Sequence, residues 1–302
     1  MPCFRPLTGY PGGPGHPGIV FSRQLSYEGS RPLLIPCGRC IGCRIARSRD
    51  WATRMIHESK LHPANSFVTL TYDDAHLPAD GSISKRALQL FLKRLRIGLD
   101  RGSGPSVRYF GCGEYGDRRG RPHYHVIVFG WFPGDARTWR QQRGNVTYRS
   151  AFLETVWPFG QVETGRVTPQ SCGYVARYAM KKLTGDRADE FYRRPHPLTG
   201  VVYQVMPEFG LMSRRPGLGS GWFDKYHMDA FPSDFLIVDG KKRNVPSFYK
   251  KKLAGIEAVR LLQERRKAAR TPQRLANSTD ARLTAREGVA TLREAQLKRD
   301  LE

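Results

Sequence analysis

One short segment constrains the fold of this 302-residue chain more than any other: residues 122–130, with the sequence PHYHVIVFG. The apolar run after His125 is typical of a strand that is held in a protein core. Side chains at positions i and i+2 of a strand point to the same face, so His123 and His125 lie side by side. Two neutral imidazoles held at that spacing suit a divalent metal ion. Two histidines that make ordinary hydrogen bonds in a hairpin are the alternative.

A third metal ligand is expected on the preceding strand. Residues 107–113 and 123–129 are predicted to be two strands, and the polar, Gly-rich linker between them predicts a hairpin. Glu114 lies at the end of the first strand and is the candidate ligand, with Asp117 as second choice. A carboxylate oxygen beside two imidazoles favours Mg²⁺ or Mn²⁺ over zinc.

The order of the predicted elements indicates an α+β fold. That order is strand 67–72, helix 84–99 capped by Ser84, the hairpin 107–129, helix 149–156, strand 161–167 and helix 171–183. It predicts a central antiparallel sheet with flanking helices. Residues 1–36, rich in Pro and Gly, are expected to be irregular, and a helix is expected over residues 44–61.

Two tyrosines on the last predicted helix point to a chemistry. Tyr174 and Tyr178 are four residues apart and share one helix face; Lys181 lies near that face, and Lys182 lies one turn beyond Tyr178. A tyrosine hydroxyl, with an ordinary pKa of about 10, needs a nearby cation to attack a phosphate at neutral pH. A metal can polarise the phosphate, and lysine can neutralise developing charge. Two such hydroxyls allow two successive transesterifications. Aromatic packing against the sheet is the alternative.

The net charge predicts a polyanionic partner. The chain has 50 Lys and Arg residues against 27 Asp and Glu, a formal net charge of +23. Nucleic acid is the first choice and an anionic membrane surface the second. Basic residues interleaved with aromatic ones favour single strands. The candidate DNA contacts are Arg108, Arg118, Arg119 and Arg121.

Neither a transmembrane nor a secretory segment is expected. The sequence has no run of about 18 apolar residues, and residues 1–18 lack an apolar stretch of the kind found in signal peptides. A reducing cytosol is therefore expected, and there clustered cysteines bind metal more often than they form disulfides.

The cysteine cluster predicts a structural zinc site. Cys37, Cys40 and Cys43 are each separated by two residues, and three thiolates at that spacing can bind one tetrahedral zinc ion. Cys3 is the expected fourth ligand and His57 the runner-up. An iron–sulfur cluster would require a further cysteine soon after Cys43. Three reduced cysteines in a tight loop are the alternative.

In combination these motifs resemble the rolling-circle replication initiators of the HUH endonuclease superfamily. Residues 67–72 are similar to the first motif strand, 122–125 to the His-hydrophobic-His pair and 174–182 to the two-tyrosine motif. The resemblance is closer to the replication initiation proteins of gokushoviruses, a branch of the Microviridae, and covers roughly residues 3–253. It also includes residues 37–44 (CGRCIGCR), 49–52 (RDWA), 113–116 (GEYG), 215–219 (RPGLG) and 222–226 (WFDKY).

The resemblance implies a function. Such a protein nicks the viral-strand origin in the cytoplasm of the bacterial host, stays on the 5′-phosphate, and later rejoins the circle. It leaves a 3′-hydroxyl for the host polymerase, with the host replication helicase as a further partner. The implied roles are metal ligation by His123 and His125, nucleophilic attack by Tyr174 and Tyr178, and assistance by the two lysines after them. Which tyrosine attacks first stays open.

Four segments are predicted along the chain. Residues 1–64 form a Cys-rich zinc-binding segment with a helix, and residues 65–185 form the endonuclease core. Residues 186–250 form a family-specific extension packed on the core, and residues 251–302 a basic tail that is helical or partly disordered.

Three alternative functions are weighed. A non-catalytic protein that binds single-stranded nucleic acid explains the charge but not the ordered histidine and tyrosine pairs. An HUH transposase commonly uses one tyrosine, and a relaxase usually carries its tyrosine ahead of the histidines. A zinc hydrolase needs more His and Asp ligands downstream than this chain supplies.

Overall fold

The computed structural model describes residues 3–100, 106–116, 120–142, 144–181, 190–195, 199–238, 240–253, 264 and 276–296. The chain divides into two compact units. The smaller unit combines Met1–Arg47 with Val259–Glu302, and the larger unit is Ser48–Ala258. Each unit contains a β-sheet of its own.

The smaller unit begins with a three-stranded antiparallel sheet. Its strands are β1 (Leu7–Pro11), β2 (Ile19–Val20) and β3 (Leu33–Ile35), in the order β2-β1-β3. The expectation that residues 1–36 are irregular is therefore wrong. Strands of two to five residues are too short to show the alternation by which a strand is recognised, and most of the prolines and glycines lie in the turns between them. Helix α1 (Ile41–Ser59) follows.

The larger unit is built on strands. In chain order they are β4 (Asn65–Thr71), β5 (Arg108–Tyr115), β6 (Pro122–Phe129), β7 (Arg137–Gln142), β8 (Asn145–Arg149), β9 (Val162–Arg166), β10 (Arg193–Pro195), β11 (Val202–Gln204), β12 (Phe209–Met212), β13 (Phe235–Val238) and β14 (Lys241–Asn244). Seven of them form one antiparallel sheet in the order β12-β5-β6-β4-β9-β8-β7. The predicted α+β fold with a central antiparallel sheet is confirmed.

Six further helices belong to the described part of the chain. They are α2 (Lys85–Asp100), α3 (Ala151–Val156), α4 (Pro169–Lys181), α5 (Ser220–Tyr226), α6 (Ser247–Lys252) and α7 (Asp280–Ala295). Helix α7 belongs to the smaller unit and lies within the tail that was expected to be helical or partly disordered. None of the helices among the described residues is long and apolar enough to cross a membrane.

Helices α2 and α3 cover one face of the large sheet. Along β4 every second residue is buried, which is the pattern of a strand with one face in a core. The side chain of Ser84 accepts a hydrogen bond from the backbone N–H of Ala87 (3.3 Å), so the predicted cap of α2 is present. The side chains packed in this core include Val68, Leu70, Leu88, Phe91, Leu95, Tyr124, Val126, Leu153 and Trp157.

Helix α4 lies against the opposite face, over β5, β6 and β12. Strand β12 was not expected, and it extends the sheet beyond β5. Gly113 permits this addition, because a Cβ atom there would lie 2.9 Å from the ring of Phe209. The β7–β8 hairpin was also missed. The sequence of β7, RTWRQQ, lacks the alternation of apolar and polar residues that predicts a strand, and all six of its residues are exposed.

The core face of α2 sets the stability of the larger unit. Leu95 is fully buried, whereas Ile97, two positions further along α2, is 42% exposed. We expect Leu95→Ala to lower the free energy of unfolding by about 2–5 kcal/mol, because it leaves a cavity. Ile97→Ala should change it by less than about 0.5 kcal/mol. Urea denaturation followed by circular dichroism measures both, and equal effects would contradict this assignment of the core face.

Candidate active site

The β5–β6 hairpin brings the predicted metal ligands together. In the antiparallel register Glu114 pairs with His123, and Cys112 pairs with His125. Directly opposed residues share a face, and His123 and His125 are two residues apart on one strand. All three candidate ligands therefore project from the sheet face on which α4 lies.

The three side chains converge on one point. Oε1 of Glu114 lies 2.7 Å from Nε2 of His123 and 2.9 Å from Nε2 of His125. One potential ligand atom from each residue lies within 4.8 Å of the other two. Glu114 and His125 are buried, and His123 is partly exposed. A cation bound here would be accessible from the side of His123.

The outer nitrogens of both imidazoles have partners that suit metal ligation. Nδ1 of His123 lies 3.2 Å from the carbonyl oxygen of Arg121, and Nδ1 of His125 lies 3.0 Å from the hydroxyl of Thr69. A carbonyl oxygen only accepts, so Nδ1 of His123 donates. Nε2 of His123 then either carries a second proton and donates it to Glu114, or offers its lone pair to a cation. Outer partners of this kind orient metal-binding histidines. The donor set therefore fits a divalent cation.

Glu114 supplies a negative charge at this point. Burial by itself raises the pKa of the Glu114 carboxyl, but hydrogen bonds from His123 and His125 lower the pKa more. The net pKa lies well below its ordinary value. The site therefore contains a carboxylate that is ionised at neutral pH, in surroundings where an uncompensated charge would be costly.

Helix α4 places one tyrosine at the same point. Its first turn is held by reciprocal hydrogen bonds: the N–H of Ser171 donates to Oγ1 of Thr168, and the N–H of Thr168 donates to Oγ of Ser171. The hydroxyl of Tyr174 lies 3.4 Å from Nε2 of His125, and the two rings are perpendicular, 5.1 Å apart. Tyr174 is only 3% exposed. The predicted nucleophile thus contacts a predicted metal ligand.

The structure describes the other predicted catalytic and binding residues only in part. Tyr178 and Lys181 belong to α4, but their side chains lie outside the described residues. Lys182, Arg118 and Arg119 lie wholly outside the described residues, as does Asp117, the second-choice ligand. The helix spacing of Tyr174 and Tyr178 is therefore present, while the contacts of the second hydroxyl are not defined.

The two described arginines among the predicted DNA contacts differ in position. Arg121 adjoins His123, and its guanidinium binds the Asp74 carboxylate (2.5 Å) and the carbonyl oxygen of Tyr72 (3.0 Å). Arg108 lies at the start of β5, six residues from Glu114, which is about 20 Å along a strand. It is paired with the buried carboxylate of Glu58 at 2.6 Å. The structure groups Arg121, but not Arg108, with the candidate metal ligands.

Two residues at the site were not identified from the sequence. Thr69 contacts Nδ1 of His125, and the ring of Phe67 stacks on the same imidazole with centroids 5.5 Å apart. Both lie on β4, on the face opposite to its buried residues. Alternation along β4 identifies that face, but only the pairing of β4 with β6 shows what it contacts.

The four predicted cysteines also come together. Their sulfur atoms all lie within 4.8 Å of one another, with Sγ of Cys3 at 3.7 Å from that of Cys37 and 3.9 Å from that of Cys40. Burial raises the pKa of Cys40, but hydrogen bonds, first that from the backbone N–H of Phe4, lower it to about 7. The runner-up ligand, His57, belongs to the larger unit, where it stacks on Trp222.

Comparisons with known proteins agree with the resemblance seen in the sequence. Residues 65–183 match the family model of the replication-associated protein ORF2/G2P. Replication-associated protein VP4 of Bdellovibrio phage phiMH2K is 35% identical over 256 residues, which cover 82% of this chain and 76% of the relative. No solved structure matches the chain.

Two further relatives have the same kind of name. Replication-associated protein ORF4 of Chlamydia phage 1 is 39% identical over 72% of this chain and 52% of the relative. Replication-associated protein ORF2 of Spiroplasma virus 4 is 31% identical over 72% of this chain and 67% of the relative. The chain belongs to the family of replication-associated proteins of microviruses.

Proposed function

We propose that this protein initiates rolling-circle replication as a site- and strand-specific endonuclease for single-stranded DNA, and that it becomes joined to the 5′-phosphate through a tyrosine. The observation that carries the proposal is the 3.4 Å distance between the Tyr174 hydroxyl and Nε2 of His125, beside Glu114 and His123. A nucleophile and a set of cation ligands at one point are what phosphoryl transfer requires.

The reaction is a transesterification. The tyrosine oxygen bonds to phosphorus, the bond from phosphorus to the 3′-oxygen breaks, and the proton lost by tyrosine balances the one gained by the 3′-oxygen. One phosphodiester replaces another, so the protein can rejoin the strand by the reverse step without an energy-rich cofactor. The freed 3′-hydroxyl would serve the host polymerase, and the host helicase would open the duplex in the bacterial cytoplasm.

Side chains of this chain supply most of what the reaction needs. Glu114, His123 and His125 would hold the cation, and one carboxylate with two imidazoles favours Mg²⁺ or Mn²⁺. When bound, that cation supplies electrostatic stabilisation of the charged phosphate. Tyr174 is buried against Phe67 and His125, which fixes its hydroxyl in place. Tyr178 would perform the second transesterification, and the lysines after it would neutralise charge on the phosphate oxygens.

The segment boundaries are part of the proposal. The match of the family model to residues 65–183 supports an endonuclease core over residues 65–185. Pairing of β12 with β5 supports a role for residues 186–250 as an extension of that core. Residues 1–64 would hold the zinc ion, and residues 251–302 would form a basic tail.

The proposed nucleophiles make a direct prediction. Mixed with a labelled single-stranded origin oligonucleotide and Mn²⁺, the wild type should give a protease-sensitive adduct on a denaturing gel. Tyr174→Phe should abolish the adduct of the first turnover, because its hydroxyl adjoins the cation ligands, and the Tyr174→Phe/Tyr178→Phe double variant should give none. Tyr226→Phe, an exposed tyrosine of α5, should behave as wild type.

Other outcomes of this assay distinguish the rival functions. An adduct that persists in the double variant would assign the nucleophile elsewhere. Tight binding without an adduct, for every origin-containing strand and metal, would leave a non-catalytic single-strand binding protein.

The cation ligands make a second prediction, independent of activity. Glu114→Gln removes the charge of the site but keeps its shape, so the affinity for Mn²⁺ should fall by about tenfold or more. Glu154→Gln, an exposed glutamate of α3 on the opposite face of the sheet, is the matched control and should bind Mn²⁺ as wild type does. Titration of free Mn²⁺ by electron paramagnetic resonance gives both affinities. Unchanged binding in Glu114→Gln would exclude it as a ligand.

We also propose that the cysteine cluster binds zinc. Four sulfurs placed tetrahedrally at about 2.3 Å from zinc stand about 3.8 Å apart, close to the 3.7 and 3.9 Å separations of Cys3 from Cys37 and Cys40. Backbone N–H groups of Phe4, Cys37 and Cys40 point at the sulfurs at 3.3 Å, which favours thiolates. Zinc would tie the N-terminal residues to the start of α1.

The zinc proposal is tested by metal analysis. Purified protein should contain about one equivalent of zinc, as expected for one four-cysteine site. Cys40→Ser should lose it and melt at a lower temperature, because zinc bound only to the folded state stabilises that state. Cys172→Ala, which changes a buried cysteine outside the cluster, should keep the metal. Wild-type protein with far less than one equivalent after purification without chelators would contradict the proposal.

A further inference from the structure

The β7–β8 hairpin, at the outer edge of the large sheet, carries exposed side chains that the proposed reaction does not use. Trp139 is 45% exposed, and all other residues of β7 are exposed as well. Charged side chains usually protect an edge strand from pairing with another chain, and an exposed aromatic ring there weakens that protection. The exposed position of Trp139 therefore indicates that a binding partner covers its ring.

Arginines surround this tryptophan. The guanidinium carbon of Arg149 lies 3.8 Å from the centroid of a Trp139 ring, and that of Arg140 lies 5.7 Å away. Nε of Arg149 has no hydrogen-bond partner among the described residues. Residues 137–149 contain four arginines and no acidic residue. We call Arg137, Trp139, Arg140 and Arg149 the hairpin surface.

Strand registers place the arginines of the hairpin surface on the same sheet face as the candidate active site, and Trp139, at the register shift between Thr138 and Arg140, contacts Arg149. Thr147 pairs with Gly165, and Gly165 pairs with Phe67, whose ring stacks on His125. Directly paired residues share a face, so Thr147 lies on the face of His125. Arg149 is two residues from Thr147 on β8 and points the same way.

The strand order sets the separation between the two regions. Four strand spacings lie between β6 and β7, which is about 19 Å at about 4.8 Å each. A stacked DNA strand places one phosphate every 3.4 Å, so this distance corresponds to about six nucleotides. One strand of DNA can therefore occupy both regions.

We propose that the hairpin surface binds the single-stranded DNA substrate several nucleotides from the scissile phosphate, with a base stacked on Trp139 and phosphates paired with the arginines. Aromatic rings beside cations suit single strands, because every unpaired base offers a face for stacking. The position relative to the scissile phosphate rests on the proposed function, whereas binding by the hairpin surface does not.

The experiment measures binding without cleavage. Fluorescence anisotropy with a labelled oligothymidine of about 16 nucleotides in EDTA gives Kd for the full chain and its variants. Trp139→Ala should weaken binding about fivefold or more, and Trp139→Phe should restore most of it. Arg140→Gln should reduce the slope of log K against log salt by about 0.7, the value for one phosphate contact on a single strand. Arg243→Gln, an exposed arginine of β14, is the matched control.

The outcomes separate this inference from the proposed function. Wild-type affinity in Trp139→Ala would overturn it, as would equal weakening by Trp139→Phe and Trp139→Ala. If Trp139→Ala weakened binding of a duplex of the same length by the same factor, the inference would also be overturned, because paired bases offer no face to stack. The adduct assay is a separate measurement: lost binding in Trp139→Ala supports the inference even if the wild type forms no adduct.

Discussion

The candidate active site depends on the pairing of β5 with β6. Side chains alternate between the two faces of a strand, so a shift of one residue would move Glu114 away from His123 and into the apolar core. The core side of the same strands prevents that shift, because Tyr124 and Val126 are fully buried against α2 and α3. Hydrophobic packing on one face of the sheet therefore determines the ligand geometry on the other.

The pairing of β5 with β6 also buries the carboxylate of Glu114, and the energetic cost of that burial bears on the chemistry of the site. A buried carboxylate is unfavourable unless it is compensated, and two imidazoles whose outer nitrogens are already engaged contribute to the compensation of Glu114. That arrangement places a carboxylate charge beside inward-facing nitrogen atoms. A divalent cation would satisfy all three groups at once, so the feature that is costly in the free protein would favour the proposed metal binding.

Part of this arrangement is predictable from the sequence, and the physical reason is its local periodicity. The spacing i, i+2 on a strand predicts that His123 and His125 share a face, and the spacing i, i+4 on a helix predicts the same for Tyr174 and Tyr178. The predicted hairpin places Glu114 beside the two histidines. The contact of Thr69 with His125 and the place of the β7–β8 hairpin in the sheet could not be found in that way. Both depend on β4 lying between β6 and β9, a long-range pairing that no local pattern encodes.

That long-range order also places the candidate active site and the hairpin surface on one sheet face, where one DNA strand would reach both under the proposed function. Helix α4 lies over β12, β5 and β6, and the residues between the site and β7 on this face include Thr69, Gly165 and Thr147. Thr69 and Thr147 are partly exposed, whereas Gly165 is buried. The acidic residue on the path, Glu163, lies 3.5 Å from Arg140, which reduces its repulsion of phosphate. Under the proposed function, charge along the sheet would thus favour a DNA strand that crosses β4 from Tyr174 toward Trp139.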